Sequence, residues 1–412
     1  MACREAGFPS MTHNPPEQRT LHLLVPNIES RGGHNYHQIL ELRRAATRRG
    51  LACRIHVPRQ VTDSGLLAEL EAERDLDHVR IQEFPDPVAE IGAANYRFYQ
   101  DVDRLPPLHP GDLLFLLAAH HRNVYGFMKA IDRRLADGES VAFAALLWSQ
   151  ECYASADGEI HRRNSDIFGR FLLWCQERPL TCRAVFAFSA AHLAHLHSLP
   201  GVRAELLPFP FIVPRIPAAS LPTRPPNSCR FGYFGLSWWD QKGLGVFLSA
   251  LRTLLAANPE VTATLQVNTS GATYDAEALL AAHADVLGSD RVSCLEGDLE
   301  TDIYMRELAA CDVIILPYGP AYDRQESGIL HEAAAWGCAV VLPESSLANA
   351  RLKAADIVTM PTFDRWTPAS VAAACQRAIP IRGPLGRTMQ SAADVLNGDF
   401  TAERLLDRLG LS

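Results

Sequence analysis

Short apolar runs alternate with amphipathic stretches from Leu21 onwards. The first run, Leu21–Pro26 (LHLLVP), suits a strand buried on both faces, which shows no polar alternation. The loop NIESRGGHN follows, then a helical pattern from about Tyr36 to Arg49, closed by Gly50 as a C-cap, and a second strand at Leu51–Val57. Strand, Gly-containing loop, helix and strand form a βαβ unit, which predicts a parallel sheet. The alternation continues with strands at Val79–Phe84, Asp112–Ala118, Val141–Trp148, Arg183–Phe188 and Ala204–Phe209. Between them lie helical patterns at Val88–Leu105, Val124–Ala136, Ser165–Glu177 and Ser189 to about Ser198.

Seven prolines then fall in the 19 residues Pro208–Pro226. Each removes a backbone donor and fixes φ, so this stretch reads as a stiff linker. The pattern restarts with strands at Arg230–Phe234, Val261–Val267, Val292–Leu295, Asp312–Pro317 and Ala339–Pro343. Helices are predicted at Gly243–Ala257, Tyr274–Leu287, Asp302–Ala310 and Gly328–Trp336. Arg387–Leu411 reads as helices able to cross back to the first half. The predicted organisation is a loose leader (1–19), a Rossmann-like α/β domain (20–209), a Pro-rich linker (210–229), a second such domain (230–385) and terminal helices (386–412). Ligands of doubly wound sheets bind beyond the carboxyl ends of the strands, so a cleft between the two domains is the expected site.

Composition narrows the class. The 412 residues carry 39 Lys+Arg against 47 Asp+Glu, with 48% apolar and 21% charged residues. These proportions are those of an ordinary globular protein and argue against disorder, collagen or a disulfide scaffold. The net charge of −8 lacks the positive field that general nucleic-acid binding needs. No apolar run reaches the ~18 residues of a membrane span, and the first twenty residues lack the apolar core of a secretory signal. The ten cysteines show neither CxxC pairs nor zinc-ligand spacing, which fits a reducing, cytoplasmic setting.

The most informative segment runs from Asp312 to Pro343, DVIILPYGPAYDRQESGILHEAAAWGCAVVLP. A buried strand leads into a polar Gly/Pro loop, and Ser327-Gly328 opens a helix. A helix N-terminus offers unpaired N–H groups and a positive dipole end, which suit phosphate. Glu332 lies one turn into that helix, where a carboxylate can accept ribose hydroxyls. A plain N-capped helix with a surface Glu would carry the same letters. The second segment, Phe231–Leu251, places Lys242-Gly243 between a strand and a helix, where a lysine can act as a point charge on a diphosphate.

Together these segments resemble the C-terminal domain of retaining GT-B glycosyltransferases, the large family that includes sucrose synthases and bacterial mannosyl- and glucosyltransferases. The resemblance spans about Arg230 to Ala378, through the Lys-Gly loop, the run from Tyr304 to Pro317 and the run from Ser327 to Val341. The N-terminal half is similar more weakly, through Arg31-Gly32-Gly33-His34 and Ala184–Leu196. The resemblance implies a GT-B fold, two Rossmann-like domains facing across a cleft, and transfer of a sugar from a nucleotide-diphosphate sugar to an acceptor hydroxyl. The acceptor class stays open among glycans, lipid-linked and small molecules. It further implies retention by front-face attack, with no cofactor and no metal. Lys242 would contact the diphosphate, Ser327 and Gly328 would donate to the phosphates, and Glu332 would hold the ribose.

Two positions depart from the family pattern. Leu236 and Ser237 stand where a basic residue usually precedes the lysine, and Arg324 stands where a second Glu usually lies eight positions before the ribose Glu. Arg324 is therefore a candidate phosphate clamp, and Glu326 a candidate for the sugar. In the N-terminal half, Gly33 is a donor-side loop candidate, His120 or His121 a sugar-contacting histidine, and His34 and Glu151 acceptor candidates.

Asp75-Leu76-Asp77 and Asp101-Val102-Asp103 match the DxD pattern that holds a metal in another glycosyltransferase fold, but they sit at helix ends in this reading. Arg43, Arg44, Arg48, Arg49 and Arg54 crowd the first helix and its exit. Such a patch can dock a protein on anionic lipid, here at the inner membrane face, or it is a solvated helix face. Rival readings are a sugar-nucleotide epimerase, a phosphorylase, and a non-catalytic sugar-nucleotide-binding protein. No GxGxxG follows the first strand of either half, which disfavours a dinucleotide oxidoreductase.

Overall fold

A computed structural model describes residues 19–28, 31, 33–77, 88–147, 153–154, 160–161, 165–187, 201, 206–208, 228–237, 239–270, 272–320, 327–357, 360–396 and 402–411. In chain order the first half contains β1 (Thr20–Leu24), α1 (Gly33–Arg48), β2 (Ala52–Pro58), α2 (Ser64–Leu70), β3 (Ala72–Leu76), α3 (Val88–Asp103), β4 (Leu113–Ala119) and α4 (Val124–Ala136). It continues with β5 (Phe143–Leu147), a small hairpin β6 (Tyr153–Ala154) and β7 (Ile160–His161), α5 (Ser165–Gln176), β8 (Cys182–Ala187) and β9 (Leu206–Pro208). The second half contains β10 (Cys229–Tyr233), α6 (Leu244–Ala257), β11 (Val261–Val267), α7 (Ala276–Ala282), α8 (Ala284–Leu287), β12 (Val292–Glu296), α9 (Thr301–Ala309) and β13 (Val313–Ile315). It closes with α10 (Gly328–Ala335), β14 (Ala339–Pro343), α11 (Leu347–Ala354), β15 (Thr362–Phe363), α12 (Pro368–Ala378), α13 (Arg382–Leu396) and α14 (Ala402–Arg408).

These strands make two parallel sheets. One has seven strands in the order β3-β2-β1-β4-β5-β8-β9, the other six in the order β12-β11-β10-β13-β14-β15. In each sheet the first strand lies inside, so the chain winds outward both ways from a switch point beside it. Register is fixed by apolar pairs such as Leu23↔Ile55 and Leu23↔Phe115 in the first sheet and Phe231↔Val313 in the second. Apolar side chains cover both faces of the first sheet, with α1, α2 and α14 on one side and α3, α4 and α5 on the other. The second sheet has its own core, reaching to Leu385, Met389 and Leu396 of α13. The last helix leaves that core: Ala402, Leu405, Leu406 and Leu409 pack with the first sheet's helices.

The predicted elements need three corrections. The charged stretch before Asp77 is not a helix end but the edge strand β3, whose Glu73 and Asp75 bond to Arg54 and His56 of β2. Edge strands tolerate such charge. The long helix predicted over Tyr274–Leu287 breaks at His283, whose ring bonds the Leu279 carbonyl and Ser249 Oγ, each at 2.8 Å. Helices α2, α11 and α12 were not foreseen. The predicted strand at Val79–Phe84, the helix after Ser189, the leader up to residue 18 and most of the Pro-rich segment lie outside the described residues.

The arginines of the first helix and its exit have carboxylate partners. Arg48 and Arg49 bond Glu403 of α14, and Arg49 also reaches Asp407 at 2.7 Å and two carbonyls. Arg43 pairs with Glu71, Arg44 with Glu41 at 2.7 Å and Arg54 with Glu73 at 2.7 Å. The cluster is thus neutralised by carboxylates, and its centre fastens the last helix to the first, rather than presenting a bare cationic face. Among the described residues no helix is long and apolar enough to cross a membrane.

Candidate active site

The carboxyl edge of the second sheet gathers most of the predicted donor residues. Beyond β10, Gly235 adopts φ +96° and its N–H donates to Gln266 Oε1 at 2.9 Å. Gln266 Nε2 in turn donates to the Gly297 carbonyl at 3.0 Å, so one buried amide ties the ends of β10, β11 and β12 together. Asn268 continues this rail by donating to Asp298 at 2.7 Å.

From Gly235 the chain returns through a single 3-10 turn, Asp240–Lys242, ended by Gly243 at φ +79°. A Cβ there would stand 1.9 Å from the Pro317 carbonyl oxygen, so handedness and space both demand glycine. The Gly319 N–H donates to the Gln241 carbonyl at 2.7 Å, and Trp366 Nε1 donates to the Pro317 carbonyl at 2.8 Å. The lysine loop is thereby sewn to the loop after β13.

Lys242 is half-buried, with Nζ 5.4 Å from the centre of the Tyr318 ring. Burial pulls its ammonium below the ordinary lysine range, and Tyr318 partly opposes this. An anion beside it would favour the charged form. Tyr318 Oη lies 2.8 Å from Ser327 Oγ, which accepts the Leu330 N–H and caps α10. The Ser327 hydroxyl is therefore engaged by the protein, and what it leaves for phosphate is the helix end it holds. Gly328 is the first residue of that helix.

Glu332 is only 5% exposed, and Tyr304 Oη donates to its Oε2. Burial raises its carboxyl to about 7, a rise that the Tyr304 bond restrains. A carboxylate held this dry is costly unless something pairs with it. It is not the surface Glu that the letters alone permit.

On the first sheet, His120 and His121 follow β4 directly, and both are buried. Asn123 knits the turn, accepting the His120 N–H and donating to the Ala118 carbonyl, each at 2.7 Å. The two rings stand 3.9 Å apart at 44°. Burial, then His121 and Arg122, hold His120 well below the ordinary histidine range, so it is a neutral imidazole. Asn95 Nδ2 donates to the His121 carbonyl at 2.8 Å. Gly33 opens α1 beyond the end of β1, and His34 stands in the same turn. Glu151, Arg324 and Glu326 lie outside the described residues.

The DxD carboxylates all have protein partners. Asp75 bonds His56 at 2.7 Å, Asp77 pairs with Arg97 at 2.6 Å, Asp101 receives the Asp77 N–H at 2.7 Å, and Asp103 meets Arg133 at 3.1 Å. Sequence reasoning missed Tyr304, Tyr318 and Gln266 as site builders. Each is a polar residue inside or beside an apolar run, and its partner lies 9 to 31 residues away.

No family model and no curated sequence matches the chain. Solved structures do. A glycosyltransferase from Rickettsia africae superposes with a TM-score of 0.60 at 13% identity, covering 96% of this chain and 97% of that one. A trehalose-6-phosphate structure from E. coli bound with UDP-2-fluoro glucose gives 0.61 at 15% identity, covering 95% and 98%. The fold is GT-B. A UDP-N-acetylglucosamine 2-epimerase is also similar, with a TM-score of 0.56 at 14% identity over 96% of this chain and 97% of that one. In a GT-B molecule the two carboxyl edges described above are where a ligand between the sheets would be held.

Proposed function

We propose that the protein is a glycosyltransferase that takes a sugar from a nucleoside-diphosphate sugar and passes it to an acceptor hydroxyl. The observation that carries this reading is the set Lys242, the N-terminus of α10 and the buried Glu332, assembled at one sheet edge. A cation, a helix end and a dry acceptor correspond to diphosphate, phosphate oxygens and ribose hydroxyls. A neutral His120 after β4 would accept or donate a hydrogen bond without adding charge, which suits contact with a sugar. Catalysis rests on stabilising the departing diphosphate through Lys242 and the α10 N–H groups, with retention of anomeric configuration and without a metal ion. Closure of the cleft excludes water and limits donor hydrolysis.

The test is a thermal-shift panel of UDP, GDP, ADP and dTDP on the wild type and on Glu332→Ala. One nucleotide is expected to raise the melting temperature as RT ln(1+[L]/Kd), and the variant to lose that rise. A folded wild type indifferent to all four would sink the reading. The likeness to a 2-epimerase favours a second reading, epimerisation of the nucleotide sugar itself. A product that remains a nucleotide sugar, epimeric at one carbon and formed without acceptor, would establish it over transfer.

A further inference from the structure

We propose that Tyr304 is the positioning residue of the donor site: its hydroxyl fixes the Glu332 carboxylate to receive ribose hydroxyls, and so sets the preference for ribo- over deoxyribonucleotides. The inference rests on the nucleoside-diphosphate reading above.

Tyr304 stands in the first turn of α9 and reaches across 28 residues of sequence to α10. Its oxygen donates to Glu332 Oε2, and among the described residues no other side chain bonds that carboxylate. The ring is fixed from the other side by Phe234, edge-on at 5.5 Å and 81°. Phe234 is itself buried, immediately before the Gly235 turn that opens the lysine loop. The tyrosine is thus held between Glu332 and Phe234, the residue that leads into the lysine loop.

The chemistry of the pair is asymmetric. An ionised carboxylate offers about four lone-pair directions. Tyr304 occupies one on Oε2, and no described residue donates to Oε1. A vicinal diol donates two hydrogen bonds, so the pinned carboxylate keeps enough acceptors for it. An unpinned glutamate would have to order its rotors on each binding event. A phenylalanine would fill the same core volume, so packing alone does not ask for the hydroxyl. Tyr304 is half-buried, and the partner its oxygen takes is the residue assigned to the ribose.

The experiment measures calorimetric Kd values for three matched pairs: UDP and 2′-deoxy-UDP, GDP and 2′-deoxy-GDP, ADP and 2′-deoxy-ADP. It compares the wild type, Tyr304→Phe and Glu332→Ala. The wild type is expected to favour the ribonucleotide of one pair. Tyr304→Phe is expected to cut that preference about tenfold, the worth of one charge-assisted hydrogen bond, leaving the deoxynucleotide Kd within about twofold. The deoxynucleotide thus also reports that the variant is folded. If Tyr304→Phe keeps the full preference while Glu332→Ala abolishes it, the inference is overturned and the donor reading stands. Equal weakening of both nucleotides in Tyr304→Phe would make the residue merely structural and also overturn it. Failure of the wild type to bind any of the six would remove the donor reading, and the inference with it.

Discussion

Both sheets bury polar groups, but they treat them differently. Across one face of the first sheet runs a row of side chains that bond one another. His22 Nδ1 lies 3.1 Å from His56 Nε2, His56 Nδ1 lies 2.7 Å from Asp75, and Glu73 gives both oxygens to Arg54. His56, Glu73 and Asp75 even bring their ligand atoms within 4.8 Å of one another, as a metal site would, yet His56 and Glu73 already have their partners in the protein. At the carboxyl edge of the second sheet, Glu332 has one side-chain donor among the described residues, Tyr304, and Lys242 Nζ lies over the Tyr318 ring. The first is a chain of paired side chains in which only Asp75 Oδ1 is buried without a partner among the described residues, and in the second a single described donor meets a buried carboxylate. Burial of polar groups is therefore not by itself a sign of function.

Several substitutions would break or sharpen that contrast. The largest effect is expected from Gly243→Ala, which forces a Cβ against the Pro317 carbonyl at positive φ. It should destabilise the second half by roughly 3 kcal/mol or more and abolish nucleotide binding, measured by urea unfolding and calorimetry. Next is Glu332→Gln. A carboxyl raised to about 7 favours the fold at low pH and loses that advantage as pH rises from its unfolded value through 7. Glutamine removes the penalty, so the variant should be more stable than wild type by about 3 kcal/mol at pH 8, and by no more than about 1 at pH 5, while binding nucleotide worse. A flat difference across that range would mean that the Glu332 carboxyl is not raised as described.

The histidine row gives the opposite sign. His22 is held down to about 4 by burial and by the neighbouring His56. The unfolded chain takes up its proton first, so stability present above about pH 6.5 is lost as the pH falls toward 4. Between pH 7 and 5 the wild type should lose about 2 kcal/mol through this residue, and His22→Gln should flatten that slope in urea titrations. The smallest effect is expected at Arg49→Ala, which frees α14 from α1. About 1–2 kcal/mol of destabilisation, weakening as salt rises, is expected in thermal melts.

The sequence carried the α/β alternation well, because buried parallel strands leave apolar runs that few other elements produce. Val261–Val267 and Ala339–Pro343 have the bounds their apolar letters suggest. It failed where tertiary partners decide. Glu-Arg-Asp-Leu reads as helix until Arg54 and His56 lie opposite it, and Tyr274–Leu287 reads as one helix until the His283 ring bonds back to Leu279. The gathering of Lys242, Ser327 and Glu332 at one sheet edge was legible, since a helix start after a strand is written locally. The residues that fix their geometry were not, because Tyr304, Tyr318 and Gln266 act on positions remote in sequence.

The bonds between α1 and α14 carry a consequence for how the protein is made. The first sheet lacks part of its apolar cover until Leu405, Leu406 and Leu409 have left the ribosome, some two hundred residues after its own last strand. At about 5–20 residues per second that is a wait of roughly 10–40 s, during which the nascent half exposes the groove that α14 will fill. Chaperone capture of stalled chains should therefore concentrate on α1, and a peptide spanning α14, added in trans, should relieve it.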